Sequence, residues 1–219
     1  MIKLPMRAVL VVFLFLLSAI AFLDRTNISI AGPQISSEFS LGNVRLGWVI
    51  SAFLVGYAAS QVLAGWIAVR LGPWRALALA VLWWATFTLA TALVSPRMDG
   101  ALLILIAVRA ALGVGEAIMY PASNQFVAQW IPARERGTVN GVIFAGVGAG
   151  AGLTPPLLAA IISAHGWRAA FWFSAESVSS PASPGSSSRA TPPKNIRSFR
   201  PPNSKQFAQA WLRLLKVIK

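Results

Sequence analysis

Four charged residues lie inside stretches that are otherwise apolar. Asp24 and Arg25 follow sixteen residues without a charge, and Arg109 and Glu116 interrupt another long apolar stretch. Charged side chains are costly at membrane depth, so those that occur there usually mark paths for ions or substrates. Two arginines and two acids from separate segments can neutralise one another and still leave groups free to bind an anion and a proton. This is the chemistry that a secondary transporter requires.

The segments that carry these charges are predicted to be membrane helices. Apolar residues make up 56% of the chain and charged residues 11%, and the apolar residues lie in long runs. A span requires roughly 20 residues, and no segment alternates as the strands of a membrane barrel do. We therefore predict an all-α membrane protein with five complete transmembrane helices and the start of a sixth. The predicted helices cover residues 7–33, 46–69, 75–95, 101–131 and 137–164, and the sixth begins at about residue 168.

The basic residues of the predicted loops indicate how the chain is oriented. One side of the membrane receives Lys3, Arg7, Arg70, Arg75, Arg134 and Arg136, and the other receives Arg45, Arg97 and Arg168. Basic residues in short loops favour the cytoplasmic side, which predicts a multi-pass protein of the cell (inner) membrane with a cytoplasmic N-terminus. The N-terminal segment also has the outline of a cleaved signal peptide, although the spans that follow favour an uncleaved first helix.

Several classes of function are disfavoured by composition and motifs. The net charge of +13 invites a nucleic-acid interpretation, but many of the basic residues lie in loops between spans or after residue 175. The chain has no Cys and one His, which excludes a thiolate metal site and a His cluster. Gly113-Val114-Gly115 lacks the strand-turn-helix context of a dinucleotide site, so no cofactor is predicted. No nucleophile, base and orienting group occur together, which argues against an enzyme.

Small residues and tryptophans have mainly structural interpretations. The fifth predicted helix contains Gly141, Ala145, Gly146, Gly148, Gly150, Gly152, Pro155 and Pro156. These residues are expected to form a close packing face and a kink rather than to bind a ligand directly. The tryptophans expected to serve mostly as interfacial anchors or lipid-facing packing are Trp48, Trp66, Trp74, Trp83, Trp84, Trp130 and Trp167.

The composition changes after Ala175. Residues 176–205 are rich in Ser, Pro and basic residues. A segment so poor in apolar side chains cannot form a core, so residues 176–219 are predicted to be a disordered basic tail. Its end, residues 206–219, regains helical periodicity. This end has two interpretations, a basic amphipathic helix on the membrane surface or plain disorder.

The order of these motifs resembles the N-terminal half of a major facilitator superfamily transporter, and most of all its anion:cation symporter branch for organic acids. The resemblance covers residues 7–175. Its motifs are Asp24-Arg25-Thr26-Asn27, Gly47-Trp48, Phe53, Gly56-Tyr57, Gln61, Gly65 to Arg75, Arg109, Gly113 to Glu116, Pro121, Glu135-Arg136-Gly137 and Gly166-Trp167-Arg168. Val69 stands where the family's first cytoplasmic loop normally has an acidic residue.

The resemblance implies proton-coupled symport of an organic anion, such as a sugar acid or another carboxylate, by alternating access. It implies that Arg25 binds the substrate carboxylate and that Tyr57 adds a hydrogen bond. Asp24 and Glu116 would take the coupling proton, and Arg109 would complete the charge network. The implied gating loop contains Gly65, Arg70, Gly72 and Arg75. A purely structural network of ion pairs is the alternative interpretation of the charges.

The family has twelve spans in two six-helix halves, so a missing C-terminal half is the expected partner, beside the lipid bilayer. We predict that the chain is a truncated transporter whose reading frame changes by one position near Ala175 to Glu176. Shifted codons for Arg189 to Leu212 can encode a sequence that resembles the branch's central loop, whereas early stops in that frame would contradict the prediction. The alternative is a membrane fragment that transports nothing and has an assembly or regulatory role, or no function.

Overall fold

Long helices carry the four membrane charges. The computed structural model describes residues 6–182, and these lie in the first of the chain's two units, Met1–Ser188. The helices are α1 (Met6–Glu38), α2 (Asn43–Leu71), α3 (Pro73–Leu93), α4 (Ala101–Glu116), α5 (Met119–Trp130), α6 (Arg136–His165) and α7 (Trp167–Ala182). Residues 6–182 contain no strand. Five stretches could cross a membrane, one of them formed by α4 and α5 together. The predicted all-α membrane fold is confirmed.

Helix α1 extends beyond its predicted C-terminal end. The prediction ended it at Pro33, but the helix continues through this proline to Glu38. A proline removes one backbone hydrogen bond, and membrane helices tolerate this loss where neighbouring groups satisfy the freed carbonyl. The additional turn carries Glu38 to the end of the bundle at which α7 begins.

The predicted helix over residues 101–131 consists of two helices. α4 ends at Glu116 and α5 begins at Met119, and the Ile118 N–H bonds the Gly115 carbonyl at 3.3 Å, which tightens the connecting turn. Pro121 has no N–H to donate to the Ala117 carbonyl, which explains why the regular helix is interrupted at this level. The break places Glu116 at the C-terminal end of α4.

The start of the predicted disordered tail requires a correction. Helix α7 continues through Glu176 to Ala182. Val178 is fully buried in the core, and the Ser177 hydroxyl donates to the Phe173 carbonyl at 2.8 Å. A core contact two residues beyond the predicted boundary explains why the helix does not stop there. The rest of the predicted tail, including the amphipathic end at residues 206–219, lies outside the described residues.

Close backbone approach joins α2 to α4. These two helices pack together extensively, as do α1 with α6 and α3 with α7. A Cβ atom on Gly56 would collide with the Ala110 carbonyl, and a Cβ atom on Gly113 would collide with the Phe53 carbonyl. Only glycine allows the two backbones to lie this close, and the contact brings α2 against the helix that carries Arg109.

The small residues of α6 serve packing on one face only. A Cβ atom on Gly150 would lie 2.7 Å from the Ala19 carbonyl of α1, and one on Gly146 would collide with the Phe15 carbonyl. At Gly141, Gly148 and Gly152, an added Cβ atom would meet nothing within 4 Å. The expected packing face is thus observed at Gly146 and Gly150. Pro155 and Pro156 lie within the helix and do not end it.

We expect Gly113→Ala to lower the stability of the bundle by about 1–3 kcal/mol, the usual cost of overpacking a filled interface. The added methyl group meets the Phe53 carbonyl and lies 2.8 Å from the Tyr57 nitrogen, so α2 and α4 must separate. The thermal unfolding temperature of the purified chain in detergent measures this effect. Gly47→Ala is the matched control, because its Cβ atom would meet nothing within 4 Å. Equal unfolding temperatures for the two variants would contradict the close contact.

Candidate functional site

Arg25 and Glu116 form an ion pair between α1 and α4. The Arg25 Nε donates to Glu116 Oε1 at 2.6 Å, and Arg25 Nη2 lies 2.6 Å from the same oxygen. The Glu116 side chain is fully buried, whereas the Arg25 side chain is 32% exposed. Glu116 Oε2 has no hydrogen-bond partner among the described residues. One partner is therefore enclosed, and the other can still be reached from outside the pair.

Aromatic rings of α2 support the Arg25 guanidinium. Its central carbon lies 4.7 Å from the Tyr57 ring centroid and 5.7 Å from that of Phe53, and the two rings are stacked 5.9 Å apart. The negative face of an aromatic ring attracts a cation and fixes the plane of a guanidinium. Tyr57, predicted as a hydrogen-bonding residue, thus lies beside Arg25 and contributes its ring as well.

Asp24 accepts its hydrogen bonds on a different side of α1 from the side that carries the Arg25 ion pair. Its Oδ2 accepts a hydrogen bond of 2.6 Å from Trp84 Nε1 and one of 2.9 Å from the Thr88 hydroxyl, both on α3. Asp24, Trp84 and Thr88 are all buried. Consecutive helical residues point about 100° apart, which separates the Asp24 contacts from those of Arg25. The two acids therefore occupy different surroundings.

Trp84 and Thr88 are site residues that the sequence analysis missed. Trp84 was expected to be an interfacial or lipid-facing residue, but only 1% of it is exposed. The two residues are four apart, so their side chains lie on one face of α3. A tryptophan and a threonine four residues apart within an apolar helix are the sequence signal that could have identified a polar contact across the bundle.

Arg109 is a buried cation that forms no ion pair with Asp24 or Glu116. The residue is 1% exposed, and its central guanidinium carbon lies 5.2 Å from the Phe53 ring centroid. Its charge acts on both Asp24 and Glu116. The Nε and Nη1 atoms of Arg109 have no hydrogen-bond partner within residues 6–182. The structure therefore places both arginines beside the Phe53 ring and joins Arg25 directly to Glu116.

The predicted gating loop lies apart from this centre. Arg70 and Arg75 are exposed at the α2–α3 connection, and Arg70 stacks over Trp66 at 5.0 Å. Gly72 connects the helices with φ +78°, a conformation that side chains other than glycine rarely adopt. A Cβ atom on Gly65 would meet nothing within 4 Å. Arg70 follows Tyr57 by 13 residues, which corresponds to about 20 Å along the helix.

A second polar cluster forms at the opposite end of the bundle. Arg168 pairs with Glu38 at 2.7 Å and donates to the carbonyls of Ala92 and Val94 at 3.1 and 3.0 Å. The Trp167 indole N–H donates to the same Glu38 oxygen at 2.6 Å. These bonds fasten the start of α7 to the ends of α1 and α3. The sequence analysis missed Glu38 because it ended α1 too early.

Comparison with protein families gives one match over most of the bundle. Residues 14–175 match the model of the Major Facilitator Superfamily. The chain is 40% identical over 152 residues to a protein named as a probable sulfoacetate transporter of Cupriavidus necator, covering 69% of this chain and 34% of that protein. It is 31% identical over 170 residues to a probable galactarate/D-glucarate transporter of Bacillus subtilis, covering 77% of this chain and 37% of that protein.

Solved structures share the fold. A bacterial homolog to the human lysosomal transporter Spinster, in an inward-facing and unoccupied conformation, superimposes with a TM-score of 0.72 at 21% identity. The match covers 81% of this chain and 42% of that protein. The chain matches only about a third of the length of each of the two curated relatives described above.

Proposed function

This chain belongs to the Major Facilitator Superfamily, and we propose that in a complete transporter it supplies one wall of a site that carries a small organic anion together with protons. Family membership makes it a multi-pass membrane protein of a transporter class rather than an enzyme. The relatives are named for sulfoacetate, galactarate, D-glucarate and hexuronate. All of these are carboxylate anions, so a small carboxylate is the proposed substrate class.

The unequal exposure of the Arg25–Glu116 pair carries the proposal. Arg25 is 32% exposed at its side chain, so an anion can approach it while Glu116 remains enclosed. A planar guanidinium binds a carboxylate through two parallel hydrogen bonds, which makes arginine suited to this substrate class. Tyr57 and Phe53 hold the guanidinium plane from one side. In this proposal, the substrate carboxylate competes with Glu116 for Arg25.

Competition at Arg25 provides a physical route to coupling. A buried charge that loses its partner is costly, and such a group lowers the cost by becoming neutral. When the substrate takes over Arg25, Glu116 therefore gains a proton. Asp24 is proposed as a second proton acceptor, and the unpartnered donors of Arg109 provide a charge that can turn toward either acid. Proton binding and anion binding then favour each other. This links the transport of the proton to the transport of the anion, as symport requires.

The remaining predicted assignments complete the proposal. Residues of the described bundle form the N-terminal half, and the residues proposed for the gating loop on the cytoplasmic side are Gly65, Arg70, Gly72 and Arg75. The N-terminus lies in the cytoplasm because the predicted loops on its side carry more basic residues. A C-terminal half supplies the opposite wall, and rocking of the two halves gives alternating access.

Co-expression with a C-terminal half tests this function. The full chain would be expressed with the C-terminal six helices of the Cupriavidus necator relative, and uptake of labelled sulfoacetate, galactarate and D-glucarate would be measured. We expect uptake at least about tenfold above either part alone, increasing as the outside pH falls. If both parts reach the membrane and their co-expression gives no more uptake than either part alone, the non-transporting interpretation would be favoured instead.

A further inference from the structure

The carboxylate of Asp24 is held in an unsymmetrical way. Oδ2 receives both hydrogen bonds from α3, and Oδ1 has no hydrogen-bond partner among the described residues. Asp24 itself is 1% exposed, so bulk water does not supply the missing partner. Buried carboxylate oxygens normally have partners, which makes this unpartnered oxygen a feature that requires an explanation.

We propose that Trp84 and Thr88 are positioning residues, which hold Asp24 by one oxygen so that the other, Oδ1, accepts one of the coupling protons. The proposal rests on the proposed function for the meaning of that proton, and on the geometry alone for where the proton binds. It gives α3 a part in coupling, although none of the four membrane charges lies on that helix.

The chemistry of the two donors supports different roles for the two carboxylate oxygens, hydrogen bonding at Oδ2 and proton binding at Oδ1. An indole N–H can only donate, so Trp84 always occupies a lone pair of Oδ2 and cannot accept a proton from Asp24. Thr88 lies one turn further along α3 and donates to the same oxygen at 2.9 Å. Two donors on Oδ2 leave Oδ1 as the oxygen with free lone pairs. The large buried ring of Trp84 also fixes the direction from which this carboxylate is held.

None of the charged groups around Asp24 forms an ion pair that would block protonation of Oδ1. The charged groups whose fields reach Asp24 are Arg25 from its own helix and Arg109 and Glu116 from α4. None of them forms an ion pair with Asp24, and two donor atoms of Arg109 have no hydrogen-bond partner among the described residues. Asp24 is therefore stabilised by two neutral donors and by nearby charge, without a salt bridge that would have to break before protonation.

Infrared spectroscopy of the full chain in lipid bilayers tests the proposal directly. The carbonyl stretch of a protonated carboxylic acid would be followed as a function of pH, and its loss in Asp24→Asn would identify the Asp24 band. Donors to a carboxylate stabilise its ionised form, so their removal should allow protonation at higher pH. We expect Thr88→Val and Trp84→Phe each to move the midpoint upward by about one pH unit. The band should also move to higher frequency, because the carbonyl loses a hydrogen bond.

Neighbouring residues of the same types provide matched controls. Trp83 donates to the Ala111 carbonyl at 2.7 Å and Thr86 to the Leu82 carbonyl at 2.8 Å, so neither bonds Asp24. Trp83→Phe and Thr86→Val should leave both midpoint and frequency at the wild-type values. Thr88→Val keeps the side-chain shape, so it tests the proposal even if Trp84→Phe does not fold.

Two outcomes would overturn the proposal. One is a titration of the Asp24 band in Thr88→Val that coincides with that of Thr86→Val. The other is a wild-type spectrum without an Asp24-dependent band at any pH. Anion transport does not enter this measurement, so a failure of the co-expression assay would count against the proposed function and leave the infrared result standing.

Discussion

Replacing Arg25 with alanine is expected to reduce organic-anion uptake by at least about 100-fold in the co-expressed transporter. Truncating one partner of a hydrogen-bonded buried charge pair typically costs about 2–5 kcal/mol, and here the substrate loses its proposed carboxylate partner as well. The same change leaves Glu116, which is fully buried, without its ion-pair partner. The measurement is the initial rate of uptake of a labelled anion over a range of concentrations, so that kcat/KM can be compared.

Two further arginine variants show whether the effect belongs to the site. Arg25→Lys keeps the charge but loses the planar fork that matches a carboxylate, so we expect an intermediate loss. Arg45→Ala removes an exposed arginine near the start of α2 and should leave the rate unchanged. If Arg25→Ala transports as fast as Arg45→Ala while both are present in the membrane at equal levels, the proposed anion site is wrong.

Replacing Glu116 with glutamine is expected to lower accumulation of the anion against its gradient while exchange of internal for external anion continues. Glutamine keeps the shape of the side chain but cannot gain or lose a proton. It also leaves Arg25 free for the substrate, because the ion pair is absent. With the membrane potential clamped at zero, each coupled proton supports roughly tenfold accumulation per unit of pH difference. Glu116 and Asp24 are each proposed to carry one proton, so the loss of one acid should lower the accumulation ratio about tenfold for each unit of pH difference.

Accumulation and exchange in vesicles separate this effect from a folding defect. A misfolded variant loses both activities, whereas a variant of one coupling residue accumulates less anion and still exchanges it. Asp24→Asn should behave in the same direction, and Glu135→Gln, which changes an exposed acid outside the spans, should accumulate normally. Undiminished accumulation in both Glu116→Gln and Asp24→Asn would refute the coupling role of these acids.

The spans were predictable because long apolar stretches are a local signal. Five membrane spans follow from long apolar stretches that carry few or no charges, and the structure contains five such stretches. Their ends were less predictable, because they depend on contacts with other helices. Helix α1 passes through Pro33 and ends at Glu38, and α7 passes Glu176 because Val178 packs in the core.

The charge centre was predictable in its members and only partly in its pairings. Arg109 and Glu116 are seven residues apart on one helix, so each was expected to need a partner from elsewhere. The ion pair between Arg25 and Glu116 satisfies this expectation for one of them. Trp84 taken alone could not be assigned, since a tryptophan in an apolar helix is equally suited to a lipid interface and to a buried hydrogen bond, and only its spacing from Thr88 offers a signal.

Proton movement that accompanies anion entry tests the central claim most directly. Vesicles containing the co-expressed halves and a trapped pH-sensitive dye would receive the anion in the absence of any initial pH gradient. We predict that anion entry acidifies the vesicle interior with wild-type Glu116, and that Glu116→Gln reduces the protons carried per anion. Anion entry at the wild-type rate with no acidification, or with the same acidification in Glu116→Gln, would contradict the account.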